Sequence, residues 1–169
     1  MLHRGVVASG GSPVPNRWMD TMHTPRRLYF AFGSNLNLAA MRSRCPDSVP
    51  LRKVAVCDWS LVFRGWLDIV PAPGRRLDGA IYRVSAADEA ALDEYEGVST
   101  GYYEQIRMPV PGTGEAAFAY RMLDGSQIFP PPADYYGIVE QGFRDWDLPL
   151  APLEAALEQS CRAGGREAG

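Results

Sequence analysis

The sequence predicts an α+β fold in one domain, a small barrel-like sheet with helices around it. Three observations lead there. Candidate strands outnumber candidate helices and largely precede them. The chain has 169 residues, enough for one domain with a core of useful size. Its hydrophobic share of 46% and charged share of 22% are those of an ordinary globule, with no internal repeat or second domain visible.

Taken in order, residues 1–26 read as a mobile arm, because Gly10, Gly11, Pro13 and Pro15 interrupt them. They carry neither a secretory nor a transit pattern. Residues 27–162 are the expected domain, and 163–169 should fray. Leu28 to Phe32 is uniformly apolar and short, which predicts a strand buried on both faces. Gly33-Ser-Asn35 turns the chain, and Asn37 can cap a helix over Leu38 to Arg44. Strand, Gly-centred loop and helix N-terminus together offer N–H groups and a positive dipole end to a small carboxylate or phosphate. The segment also fits an ordinary strand-to-helix turn.

Lys53 to Cys57 and Trp59 to Phe63 read as two separate strands, with Arg64-Gly65 interrupting. Ile69 to Gly74 holds too much proline for a central strand and reads as a connection or an edge. Gly79 to Val84 is a strand again. Ser85, with Asp88 three residues on, predicts a capping box opening a helix from Ala86 to Tyr95, its inner face marked by Leu92 and Tyr95. Tyr102-Tyr103 leads into a strand reaching Val110, and Pro111-Gly-Thr-Gly114 turns into another over Ala116 to Met122. Pro130-Pro-Pro132 halts the chain before helices over Tyr135 to Phe143 and Leu153 to Cys161.

Charge and composition exclude several functions. Seventeen basic against twenty acidic residues leave −3, and no basic run exceeds a pair, so there is no footprint for nucleic acid or an anionic membrane. No apolar stretch approaches the roughly 20 residues of a membrane span. Cys45, Cys57 and Cys161 are too scattered for a disulfide framework or a zinc site and fit a reducing cytoplasm. His3 and His23, the two histidines, both lie in the arm. A Ser-His-Asp or Cys-His hydrolase, or a His-ligated zinc enzyme, needs an imidazole in the folded core. An enzyme here would use a carboxylate, Tyr, Lys or Cys as its proton carrier.

The end of the Ala86 helix offers one. Glu96 falls in the last turn, with Gly97 suited to the left-handed position after it. The negative end of the helix dipole, Asp93, Glu94 and any burial would all push its pKa upward, into the range of a general acid/base at neutral pH. Asp93 and Glu94 read as a solvated acidic face, and Glu96 can be read that way too.

Leu28-Tyr-Phe-Ala-Phe-Gly-Ser-Asn-Leu36, followed downstream by Leu92-Asp-Glu-Tyr-Glu96-Gly-Val98, resembles the gamma-glutamylcyclotransferase-like (AIG2-like) superfamily. The likeness continues through Gly101-Tyr-Tyr103, Pro130 to Tyr135 and Gly142, covering about residues 27–149. It implies a small mixed β-barrel with flanking helices, no metal or cofactor, and a small-molecule gamma-glutamyl substrate from which 5-oxoproline is released. By position, Glu96 matches the family's catalytic acid/base. The loop of Tyr29, Phe30, Ala31, Phe32, Gly33, Ser34 and Asn35 matches its substrate cradle. Tyr135 matches a tyrosine near the bound glutamyl group, and Tyr103 another recurrent tyrosine. The family usually places Tyr where this chain has Phe32, so one hydroxyl is lost.

The chemistry agrees with the residues available. In a gamma-glutamyl amide the α-amine can close on the γ-carbonyl, so one carboxylate can accept the ammonium proton and return it to the leaving nitrogen. N–H groups of the Gly33–Leu36 loop can grip either the α-carboxylate or the oxyanion. Leaving-group contacts would come from Arg64–Arg76 and Gly125–Pro132, where Arg64, Arg75 and Arg76 either read an anionic group or are solvated surface. The leaving group can be an amino acid, an amine, glutathione or a protected metabolite. The competing reading is a non-catalytic small-molecule binding module on the same fold. Retention of Glu96 beside an intact Gly-Ser-Asn loop argues against it. A carbohydrate-cleaving acid pair would need a second carboxylate across the cleft, and nothing in the chain specifies an oligomeric state.

Overall fold

A computed structural model describes residues 26–123, 125 and 127–165. The expected arm, apart from Arg26, and residues 166–169 lie outside them. Five strands form one mixed sheet: β1 (Arg27–Ala31), β2 (Val49–Arg64), β3 (Trp66–Val84), β4 (Tyr103–Pro109) and β5 (Ala116–Met122). Four α-helices flank it: α1 (Leu38–Arg44), α2 (Ala86–Tyr95), α3 (Ala133–Asp145) and α4 (Ala151–Gly164). The α+β class is as expected.

The strand order is β2-β3-β1-β5-β4, which makes the sheet open rather than a closed barrel. β2 and β4 are its edges. The end of the β2 edge is met by a non-strand segment, where Gly65 N–H donates to Phe129 O and Phe129 N–H to Phe63 O, each at 3.0 Å. That pairing satisfies backbone groups that closure would otherwise have to satisfy. β1 runs antiparallel to β3 and parallel to β5, with Tyr29 opposite both Tyr82 and Phe118.

The two strands expected on either side of Asp58 are one long strand. Asp58 adopts a positive φ of 66°, and its carboxylate accepts the Gly74 N–H at 2.8 Å. This bulge absorbs the prolines: Cys57 faces Arg76 while Trp59 faces Pro71, so Ala72–Arg75 loop out between them. Ile69 to Gly74 therefore lies within β3, an inner strand rather than the connection or edge expected: Ile69, Val70 and Pro71 pair with β2, and Pro73 sits in the looped-out segment. Gly65, at φ 80°, makes the reversal between β2 and β3.

Each helix start follows local chemistry. Asn37 Oδ1 accepts the Ala40 N–H at 3.0 Å, and Ser85 with Asp88 forms the complete capping box. α4 runs on through Gly164, two residues into the stretch expected to fray, with Pro152 in its first turn. Beneath the helices lies a continuous core that includes Phe30, Phe63, Tyr82, Leu92, Tyr120 and Phe143.

Two glycines are required by packing. At Gly79 a Cβ would collide with Ala31 O and the Phe30 ring. At Gly142 it would lie 2.6 Å from Asn37 N and 2.7 Å from Leu36 Cβ, so α3 sits directly on the turn after β1. Trp146 Nε1 tightens the same joint by donating to Leu36 O at 2.9 Å.

Candidate active site

β1 delivers the chain to a single 3-10 turn, Ser34–Leu36, closed by Leu36 N–H to Gly33 O (2.9 Å) and Asn37 N–H to Ser34 O (3.1 Å). All three turn residues are buried. The N–H groups of Ser34 and Asn35, at its start, have no acceptor within the turn. The N-terminus of α1, by contrast, already holds an anion from the chain itself. Leu38 N–H donates to Asp145 Oδ2 at 2.9 Å, so any anion-gripping N–H groups must belong to the 3-10 turn.

α2 brings Glu96 to the same place. Glu96 is the C-cap residue, and Gly97 follows in the left-handed region at φ 66°, ψ 38°. The reversal turns the Glu96 side chain inward, where Oε1 accepts Asn35 Nδ2–H at 2.9 Å. The other hydrogen of that amide goes to Tyr29 Oη, also at 2.9 Å. Arg44 donates to Asn35 Oδ1 and stacks on the Tyr95 ring, its Cζ 3.3 Å from the centroid. Because arginine can only donate, Asn35 must present its oxygen to Arg44 and its NH2 to Glu96.

Burial pushes the Glu96 carboxyl up to about 7, against the opposing pulls of the Arg44 charge and the Asn35 hydrogen bond. The raised pKa was expected, but burial is its cause rather than crowding by neighbouring acids. Asp93 is not a simple solvated acid either. It accepts Tyr120 Oη–H at 2.6 Å and Gln105 Nε2–H at 2.8 Å. Glu94 is exposed.

The opposite wall comes from the β2–β3 reversal. The Leu67 peptide is held at both ends: its N–H donates to Tyr135 Oη (3.2 Å), and its carbonyl accepts from Tyr103 Oη (3.3 Å). Tyr135 thus accepts from the backbone and keeps its own proton available. Burial raises the pKa of Tyr29, Tyr103 and Tyr135 above the ordinary tyrosine value, so all three are neutral hydroxyls at physiological pH.

Between these walls opens a cleft of about 290 Å³, with Glu96, Ser34, Tyr103 and Tyr135 inside and Trp66, Tyr95 and Tyr102 toward its mouth. A recess of about 20 Å³ continues inward past Tyr29, Phe32, Gly33 and Asn35. Of the residues singled out from sequence, Glu96, Ser34, Tyr103 and Tyr135 meet at the cleft, and Tyr29, Phe32, Gly33 and Asn35 at the recess. Phe30 and Ala31 do not. Both are fully buried in the core, carrying the strand rather than touching the cavity. Tyr95, expected on an inner helix face, is instead at the mouth. Trp66 and Leu67 fall within the Arg64–Arg76 stretch expected to touch the leaving group but were not singled out, and Arg44 escaped sequence reasoning altogether. Trp66 beside the Gly65 reversal was the one signal available, a large aromatic at a hairpin tip. Among the described residues no group of three or more His, Cys, Asp or Glu is placed to hold a metal ion, and no helix is long and apolar enough to cross a membrane.

A half-buried carboxyl whose pKa is pushed up to about 7, facing a cleft lined by tyrosine hydroxyls, suits proton transfer on a small substrate. Comparison with known proteins narrows the class: the chain belongs to the family described as gamma-glutamyl cyclotransferase, AIG2-like, which matches residues 29–144. It is 28% identical over 138 residues to gamma-glutamylcyclotransferase of Bos taurus, covering 73% of each chain. The Homo sapiens gamma-glutamylcyclotransferase is 27% identical over 137 residues, again with 73% of each covered. A solved gamma-glutamyl cyclotransferase structure superposes with a TM-score of 0.67 at 25% identity, over 78% of this chain and 86% of that one. YkqA from Bacillus subtilis shares the fold, at a TM-score of 0.64 and 18% identity over 84% of this chain and 56% of that one. The chain is thus an enzyme of this family.

Proposed function

We propose that the protein cleaves a gamma-glutamyl amide by ring closure, releasing 5-oxoproline and a free amine, with Glu96 as the general acid/base. The observation that carries this reading is the Glu96 carboxyl, held by Asn35 at 2.9 Å and raised to about 7 by burial. A group with that pKa both accepts and returns a proton readily near neutrality.

The glutamyl group lies between the 3-10 turn and Tyr135, folded so that its α-nitrogen approaches its own γ-carbonyl. Glu96 takes a proton from the α-ammonium. The freed amine attacks the γ-carbon, and the carbonyl oxygen becomes an oxyanion. Ser34 and Asn35 N–H and the Tyr135 hydroxyl are the donors available for that oxyanion or for the α-carboxylate. Collapse breaks the γ-carbon–nitrogen bond, and Glu96 returns its proton to the leaving nitrogen. The attack leaves one proton too many on the ring nitrogen. The recharged Glu96 takes it and passes it to the released amine, so the neutral lactam and an ammonium product leave, Glu96 is an anion again, and no water enters.

The test is 5-oxoproline release from gamma-glutamyl amides by the folded enzyme. Glu96→Gln keeps the size and the acceptor for Asn35 but has no basic oxygen. It should fold and lose nearly all turnover. A variant retaining most activity would remove Glu96 from this role.

A further inference from the structure

The mouth of the cleft has a composition that the acid/base chemistry does not call for. Trp66, Tyr95 and Tyr102 keep 48%, 48% and 67% of their surface exposed, although large aromatics gain most by burial. They come from separate places in the chain: the β2–β3 reversal, the end of α2 and the segment before β4. All three nevertheless line the same cavity. Trp66 is fixed there by an edge-to-face contact with Tyr135, 4.7 Å between centroids at 84°.

Charge at the mouth is equally one-sided. Among the described residues lining the cleft, Glu96 is the single acid, and no Arg or Lys joins it. Arg64, the nearest in sequence to Trp66, is engaged with Asp68 at 3.1 Å, and Arg76 with Asp78 at 2.7 Å. One wall is the C-terminal end of α2, which carries partial negative charge. A carboxylate on the leaving group would therefore meet like charge, while the nearby Arg44 guanidinium is engaged with the Asn35 carbonyl and the Tyr95 ring rather than lining the cleft. A cationic leaving group fares little better at Tyr95, because the Arg44 guanidinium already covers that ring.

We propose that the leaving group is an uncharged amine bearing an aromatic or similarly flat apolar group, seated on Trp66, Tyr95 and Tyr102, and that an α-carboxylate on that amine is selected against. This rests on the cyclotransferase reading above and assigns the half of the cleft which that reading leaves open.

The experiment compares kcat/KM for 5-oxoproline release from four compounds: the gamma-glutamyl amides of phenethylamine, phenylalanine, 1,4-diaminobutane and methylamine. The phenethylamide should exceed the phenylalanine and diaminobutane compounds by about tenfold or more. Phenethylamine and phenylalanine differ only in the carboxylate, so that pair isolates its effect. In Trp66→Ala and, separately, Tyr102→Ala, the ratio of phenethylamide to methylamide kcat/KM should fall by about tenfold, mostly through KM. Equal or better turnover of the phenylalanine or diaminobutane compound overturns the proposal. So does an unchanged ratio in both folded variants. Release from none of the four defeats the cyclotransferase reading instead. Calorimetric binding to the folded protein then decides the inference alone, which requires the phenethylamide to bind about tenfold more tightly than its carboxylated counterpart.

Discussion

Asn35 Nδ2 lies 2.9 Å from Glu96 Oε1, joining two residues 61 positions apart in the chain. A donor at that distance favours the ionised carboxylate, so it works against the burial that raises the Glu96 pKa. In Asn35→Ala the opposing pull is gone, and the Glu96 pKa should rise above about 7. The ascending limb of kcat/KM against pH should move upward with it. Arg44→Met should shift the limb in the same direction, because the Arg44 charge also stabilises the anion, and Arg44→Lys should restore part of it. A limb that stays in place in all three variants would mean that Glu96 is not the titrating base.

The same carboxyl carries a stability signature. Its folded pKa of about 7 lies above the usual 4.5, so in that window the folded state binds more protons than the unfolded state. Stability is therefore full below about pH 4.5 and declines as pH rises through about 7, by about 3 kcal/mol in total. Glu96→Gln removes this decline while keeping the Asn35 contact. Denaturant titrations should show the variant gaining on the parent between pH 5 and pH 8, with the gap closing at low pH.

The two tyrosines at Leu67 should separate cleanly. Tyr103 Oη spends its proton on Leu67 O, whereas Tyr135 Oη accepts from Leu67 N–H and can still donate into the cleft. Tyr103→Phe should lose about 1 kcal/mol of stability with kcat nearly intact. Tyr135→Phe should lose about a hundredfold in kcat, the usual scale for an oxyanion donor. Steady-state kinetics beside thermal melts will tell the two apart.

Gly142→Ala tests the joint behind the cradle. Its Cβ would press on Asn37 N and Leu36 Cβ at 2.6 and 2.7 Å, both at the turn holding Asn35. Overpacking there should destabilise by about 1–3 kcal/mol. Because α3 also carries Tyr135, kcat/KM should fall as well, in contrast to Gly137→Ala, whose Cβ meets nothing within 4 Å.

Much of this site was legible because its chemistry is local. Ser85 with Asp88, Asn37 and Gly97 each announce a helix boundary through a side chain or a permissive backbone, and each boundary is where it was expected. Glu96 followed from one of them. What was illegible depends on distant pairing. Asp58 joins two strands into one only because Gly74, sixteen residues on, supplies its N–H. Whether the sheet closes depends on whether its edge strands β2 and β4 pair, and they do not. Arg44 looks like any basic residue in a last helical turn, and its role exists only because Asn35 and Tyr95 converge on it. Phe30 and Ala31 were drawn into the cradle by adjacency, but both are fully buried in the core, with the Phe30 ring and the Ala31 carbonyl packed on Gly79.

A cleft whose single carboxyl, among the described lining residues, switches near neutrality discriminates between what enters and what leaves. On the cyclotransferase reading, the incoming glutamyl group brings an ammonium, which the Glu96 anion attracts. Ring closure turns that nitrogen into a neutral lactam while the product's carboxylate remains. Once Glu96 has given its proton away, its restored charge, offset only in part by Arg44, faces an anion. The field that captures the reactant then expels the product, and one carboxylate sets the direction of traffic as well as the chemistry.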